Sequence, residues 1–287
     1  MMTDKKRNPS SDYRLGIILI VTAAIAYSTA GLFTKGVVAG AWAVIFWRGI
    51  FAVGFSVVWT VHKGTFEQNF LKFGASGWAV AVIGAVGTAA FIPAFKLTSI
   101  ANVSLIYAIA PLIAAALAWG LIGERISGRT LTGCIGALFG VAIIVSGSIG
   151  QISIYGDLLA LVMTVAMAAI MVIYRKFPQT PGAGPTAMQS VLLTPLALVF
   201  GQPFQTDPLE VFILAAFGLL FAIAAITLAE GAKRVPSGQT ALLSALETPL
   251  APLFAFLLFM EVPANMTVLG GTLVLIAIFA SIRNEGG

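Results

Sequence analysis

The stretch AFKLTSIANVSLIYAIAPL (residues 94–112) returns 138 positions later as AKRVPSGQTALLSALETPL (residues 232–250). Ala94 falls on Ala232, Ser99 on Ser237, Leu105 on Leu243 and Pro111 on Pro249, and a one-residue slip then sets Glu124 on Glu261 and Gly133 on Gly270. Upstream, Gly16 and Lys35 lie over Gly156 and Arg175. The chain is therefore two copies of one unit, and the fold follows from what one unit contains.

Each unit is almost entirely apolar. Of 287 residues 59% are hydrophobic and 9% charged, with a mean hydropathy of +1.00, whereas a soluble domain carries about 25% charged residues. A hydrocarbon layer about 30 Å thick is crossed by roughly 20 apolar helical residues. The pattern predicts ten helices, at 15–35, 41–61, 75–96, 101–121, 130–148, 156–174, 185–200, 209–231, 238–260 and 266–283. The first run, from Leu15 to Gly36, exceeds a signal-peptide core and lacks a small-residue cleavage site, so it reads as a retained crossing. The expected fold class is an all-α integral membrane protein, arranged as a tail at 1–14, five helices in 15–148, five more in 156–283 and a short tail at 284–287. Five is odd, so the second copy enters the bilayer from the opposite face and the repeats are inverted.

Charge fixes the expected orientation. With the amino terminus inside, the inner face receives Lys5, Lys6, Arg7, Arg14, Lys63, Lys72, Arg125, Arg129, Arg175, Lys176, Lys233, Arg234 and Arg283. The outer face keeps Lys35 and Lys96, and Arg48 falls within a helix. That asymmetry predicts cytoplasmic termini in a cell's inner (plasma) membrane. The net charge of +5 does not mark a nucleic-acid binder, because no stripe of basic and aromatic residues accompanies it.

Enzyme chemistry finds little to work with. HExxH, GxSxG, Walker and CxxC patterns are absent, and His62 and Cys134 are the single histidine and cysteine. No cofactor or metal is expected, and Cys134 reads as an inert packing residue. His62 reads as an interface residue at the inner edge of the second helix. Glu230, close to Lys233 and Arg234, reads as part of an interfacial ion-pair network.

Buried charge is the sharpest signal, since a charged side chain at a helix centre costs about 2.5 to 3.5 kcal/mol. Arg48 lies in the second helix and Glu247 near the middle of the ninth. Arg48 reads as a donor to a ligand carboxylate or as a packing link. Glu247 reads as a cavity carboxylate facing an ammonium group or titrating, or as architecture. Aligning the two copies at WRG and MQS sets Arg48 opposite Gln189, an inequality that suits an asymmetric ligand and that drift also produces. Phe91 and Phe95 share a helix face with Gly84 and Thr88, and Tyr107 shares one with Ser104 and Pro111. Met163, Met167 and Met171 recur every four residues beside Ile170 and Tyr174, as adaptable wall or plain filler. Trp42 and Trp119 read as interfacial anchors, and Trp47, beside Arg48, as a further candidate contact. Pro111, Pro249 and Pro252 fall within helices, where each removes a backbone bond; the symmetry-related Pro111 and Pro249 read as hinges or static kinks. Gly133, Gly136 and Gly140 read as close helix packing inside the bundle.

WRGIFAV, AFKLTSIANVSLIYAIAPLIAAALAWGLIGE and LETPLAPLFAFLLFME, in that order and duplicated, make the chain resemble the drug/metabolite transporter superfamily, specifically its EamA-type ten-helix exporters. Its lone intramembrane arginine and aromatic-rich helices are most similar to YddG-type amino acid exporters. The resemblance implies a small-molecule substrate, preferably a neutral or aromatic amino acid, moved by alternating access at the seam of the two halves. It implies a lipid-embedded monomer or weak dimer. The alternatives are a broad exporter of drugs or other metabolites and, outside transport, a membrane scaffold. A sugar-phosphate carrier would need several buried cations, and an open channel a ring of like polar groups.

Overall fold

Inside hydrocarbon a backbone N–H has no water to bond, so a chain this apolar must satisfy itself locally, and it does so with helices. The computed structural model describes residues 9–146, 153–260, 262 and 264–282. Its first half runs through α1 (Pro9–Tyr27), α2 (Ala30–Lys35), α3 (Ala41–His62), α4 (Gly74–Leu97), α5 (Ile100–Tyr107), α6 (Ala110–Ile122) and α7 (Gly128–Ser146). The second runs through α8 (Ile154–Lys176), α9 (Ala183–Gly201), α10 (Pro208–Ala232), α11 (Ser237–Ser244), α12 (Glu247–Phe259) and α13 (Asn265–Ile282). Nine spans among the described residues are long and apolar enough to cross a membrane. The tenth crossing is α11 followed by α12. The two halves are inverted five-crossing repeats, as the sequence predicts.

Three crossings expected to be continuous are broken. The first also begins early, at Pro9, so part of the predicted 1–14 tail is helical. It stops at Ser28 and Thr29, whose hydroxyls donate to the carbonyls of Ile25 (2.6 Å) and Ala26 (2.7 Å). Such back-bonding competes with the helical ladder and bends it. The fourth crossing breaks between α5 and α6 and the ninth between α11 and α12. There the cause is proline. Pro111 is the second residue of α6 and Pro249 the third of α12, so their missing N–H groups fall where a helix bonds none. Their rings crowd the carbonyls four residues back, on Tyr107 and Ala245, where the preceding segments end. Both prolines therefore head a second segment instead of lying mid-helix, as the sequence had implied. Pro252 does lie within α12.

The breaks also correct the register of the repeat. Helices α5 and α11 correspond residue for residue at an offset of 137, as do α6 and α12. The same offset relates their caps, Gly123 (φ 69°) and Met260 (φ 56°), both left-handed. Pro111 and Pro249 are thus one step out of structural register.

Packing obeys a pseudo-two-fold. Helix α7 packs on its own counterpart α13, and α3 on its counterpart α9, while α1 lies on α10 as α8 lies on α4. A Cβ added to Gly140 would stand 2.7 Å from the Gly270 carbonyl oxygen, so small residues set the α7–α13 distance. Gly133 and Gly136 also face α13, and the glycine pattern serves packing within one chain.

The two ends of the bundle are tied differently. On the face where α1 begins, Arg234 pairs with Asp12 (3.2 Å) and Glu230, Lys233 pairs with Glu230, and Arg175 pairs with Glu124 (3.0 Å). There too Gln239 donates to the Tyr13 hydroxyl (2.7 Å) and the Ser237 N–H to Glu124. The ion-pair network expected around Glu230 is present. On the opposite face Asp157 accepts from Thr98 (3.0 Å), Glu210 from the backbone N–H groups of Val38 and Ala39, and Lys96 donates to the Val37 carbonyl (2.9 Å). Lys5, Lys6, Arg7, Glu261, Arg283 and the 284–287 tail lie outside the described residues.

A non-glycine residue in the left-handed region costs about 1 kcal/mol. Met260→Gly should therefore stabilise the protein by roughly 0.5 to 1 kcal/mol and Gly123→Met destabilise it by a similar amount, read as opposite shifts of the thermal midpoint in detergent.

Candidate functional site

All three helix breaks face one cavity of about 1200 Å³, counting its mouth, on the seam between the halves. Tyr27, Ser28, Ala30 and Gly31 come from the first break, Ser104 and Tyr107 from the fourth crossing, and Glu247, Thr248 and Ala251 from the ninth. Non-helical backbone at membrane depth is tolerable where it borders such a space.

Arg48 reaches the cavity from α3 at a point fixed by packing. A Cβ on Gly49 would stand 3.2 Å from that of Ser190, so α3 and α9 cross at this pair, and Arg48 and Gln189 each precede the crossing by one residue. Both line the cavity. Arg48 is 2% exposed, with its guanidinium carbon 3.9 Å from the Phe221 ring centroid and 5.5 Å from that of Phe217. Stacking on a ring face partly offsets a cation's lost hydration. One nitrogen donates to Thr88 Oγ1 at 3.3 Å, while Nε has no acceptor. Among the described residues no carboxylate pairs with it.

Glu247 is the first residue of α12, not mid-helix. A carboxylate there meets the positive end of the helix dipole. Every other described carboxylate has a hydrogen-bond or ion-pair partner (Asp12, Glu67, Glu124, Asp157, Asp207, Glu210, Glu230); Glu247 has none. Tyr27 lines the same cavity as Arg48 and Glu247. These two are the charged residues of the lining.

The structure gathers Arg48, Phe91, Phe95, Tyr107, Met163, Met167, Gln189 and Glu247 around this one space. Phe91 and Phe95 stand 4.8 Å apart and form an aromatic wall. Met171 is fully buried in the core instead. Trp47 must be withdrawn: it points away from the cavity, donates its indole N–H to the Pro203 carbonyl (2.9 Å) and packs among Phe46, Phe51 and Phe204. One residue along a helix is a turn of 100°, so adjacency to Arg48 placed it on another face. Sequence reasoning missed Tyr27, Ser28, Thr186, Phe217, Phe221 and Thr248. The four-residue spacing of Phe217 and Phe221 in FGLLF, matching that of Phe91 and Phe95, was the signal available.

The model of the EamA-like transporter family matches twice, at residues 14–146 and 154–283. The chain belongs to the EamA-like transporter family. It is a membrane transporter of small molecules, as members of that family are. No curated protein matches it by sequence. A solved crystal structure, titled only as that of a protein, superposes with a TM-score of 0.79 over 94% of this chain and 98% of its own at 19% identity, which establishes a shared fold. In this EamA-like chain the fold brings repeat-related helices together and leaves Arg48 and Glu247 facing one chamber.

Trp47→Phe should leave transport unchanged while losing about 1 kcal/mol of stability with its hydrogen bond. Flux in vesicles together with the thermal midpoint checks both halves of that expectation.

Proposed function

We propose that this protein exports neutral amino acids, aromatic ones preferred, by alternating access around the central chamber. The observation that carries the reading is an arginine and a carboxyl side chain, Arg48 and Glu247, neither with an ion-pair partner among the described residues, in a cavity walled by Phe91, Phe95, Phe217 and Phe221. A zwitterion brings an anion for the guanidinium and a cation for the carboxylate, and a planar side chain packs on the rings. A simple cation would leave Arg48 unmatched, and a dianion would find one arginine. Pro111 and Pro249 act as hinges, since each heads a half-helix that can swing about its break. The chain has no nucleotide-binding pattern, so transport draws on existing gradients.

Lys63, Lys72, Arg125, Arg129, Arg175, Lys176, Lys233 and Arg234 all belong to the face on which α1 begins. By the positive-inside rule that face is cytoplasmic and the membrane is the cell's inner one. The polarizable thioethers of Met163 and Met167 favour a second reading, a broad exporter that repacks around unlike cargo. Competition by amino acids, polyamines and cationic drugs against uptake into vesicles separates the two.

Arg48→Ala should lower phenylalanine flux about a hundredfold, equivalent to about 3 kcal/mol of charged hydrogen bonding, with membrane abundance unchanged. Normal flux in that variant overturns the carboxylate clamp. Glu247→Gln should weaken binding of zwitterions but not of an analogue lacking the amino group. Equal loss for both ligands reduces Glu247 to architecture.

A further inference from the structure

Gln189 and Arg48 flank the pseudo-two-fold where α3 crosses α9, each one residue before the Gly49–Ser190 contact, and both side chains line the chamber. The helices on which they rest correspond too. Arg48 lies over the Phe221 ring of α10, whereas the Gln189 amide lies against Gly84 of α4, where a Cβ would overlap its Oε1. In the register set by the helix breaks, Gly84 and Phe221 are equivalent positions. One half thus presents an arginine seated on a ring, and the other a neutral amide seated on bare backbone. Gln189 is 7% exposed, and it makes no side-chain hydrogen bond among the described residues. Its Oε1 lies against Gly84, and the residue lines the cavity.

We infer that Gln189, held in place by Gly84, sets the charge selectivity of the chamber. It offers a neutral hydrogen bond to the headgroup that Arg48 clamps, and by carrying no charge it restricts cargo to one anionic group. The inference rests on Arg48 as the carboxylate clamp and names what that reading leaves open, the discrimination between monocarboxylates and cargo with a second anionic group. With Gln189 neutral, Arg48 is the cationic side chain of the lining. A cation at 189 would add a net positive charge on the symmetry-related side, where a second carboxylate would meet it. Selectivity of this kind comes as much from leaving a wrong group unmatched as from binding the right one.

The test uses full-length protein in nanodiscs, with direct binding of phenylalanine and of glutamate, and monodispersity and thermal midpoint as controls for folding. Gln189→Arg should raise the ratio of glutamate to phenylalanine affinity by at least about tenfold, the scale of one charge-assisted hydrogen bond. Because the group displaced by a methyl at Gly84 is the far end of a flexible side chain, Gly84→Ala should fold normally. It should weaken phenylalanine binding several-fold in the wild-type background and have no further effect once Gln189 is alanine. An unchanged ratio in folded Gln189→Arg overturns the inference, as do independent, additive losses from Gly84→Ala and Gln189→Ala. Failure of the underlying reading looks different: Arg48→Ala would then bind phenylalanine normally, whatever happens at 189.

Discussion

Backbone amides surrounded by hydrocarbon must be bonded within the chain, and that requirement governs where this molecule can be anything other than a helix. The breaks at Ser28–Thr29, Ala108–Ile109 and Ala245–Leu246 all occur beside the central cavity. Each has a local cause, hydroxyl back-bonding in the first and proline in the other two. The irregular backbone, the aromatic wall and the two charges are therefore one construction. The bundle departs from regular helix where it borders the cavity.

The duplicated architecture supplies a near-symmetric frame, and the site is made of departures from it. Helices α3 and α9 are counterparts, yet one carries Arg48 and the other Gln189 at the crossing. The first crossing is jointed, whereas its counterpart α8 is continuous from Ile154 to Lys176. Glu247 opens α12, while Ala110 opens α6. A two-fold chamber would present two equivalent halves; these differences make its halves unlike.

Much of the frame was legible in the sequence because bilayer thickness and charge asymmetry act on long segments. Ten crossings and the inversion follow from run lengths and from an odd count per copy. The local breaks did not show, because Ser28 and Thr29 are ordinary residues whose effect depends on where their hydroxyls turn. Proline was visible, but whether it kinks a helix or heads a new one depends on which carbonyl it crowds. Of the candidate site residues, those chosen by helical spacing reached the cavity, as with Phe91, Phe95, Met163 and Met167. Trp47, chosen by adjacency, did not. The partners on α10, Phe217 and Phe221, were hidden by an abundance of similar apolar residues in the same helix.

The unlike fastenings at the two ends give the two membrane faces different sensitivities. Asp12, Glu230, Lys233 and Arg234 attract one another from partly buried positions, so dissolved ions weaken their pairing, though less than they would that of exposed charges. The Thr98–Asp157 contact and the backbone donors on Glu210 involve neutral partners and are far less responsive. Rising ionic strength would therefore loosen the end where α1 begins before it loosens the opposite one.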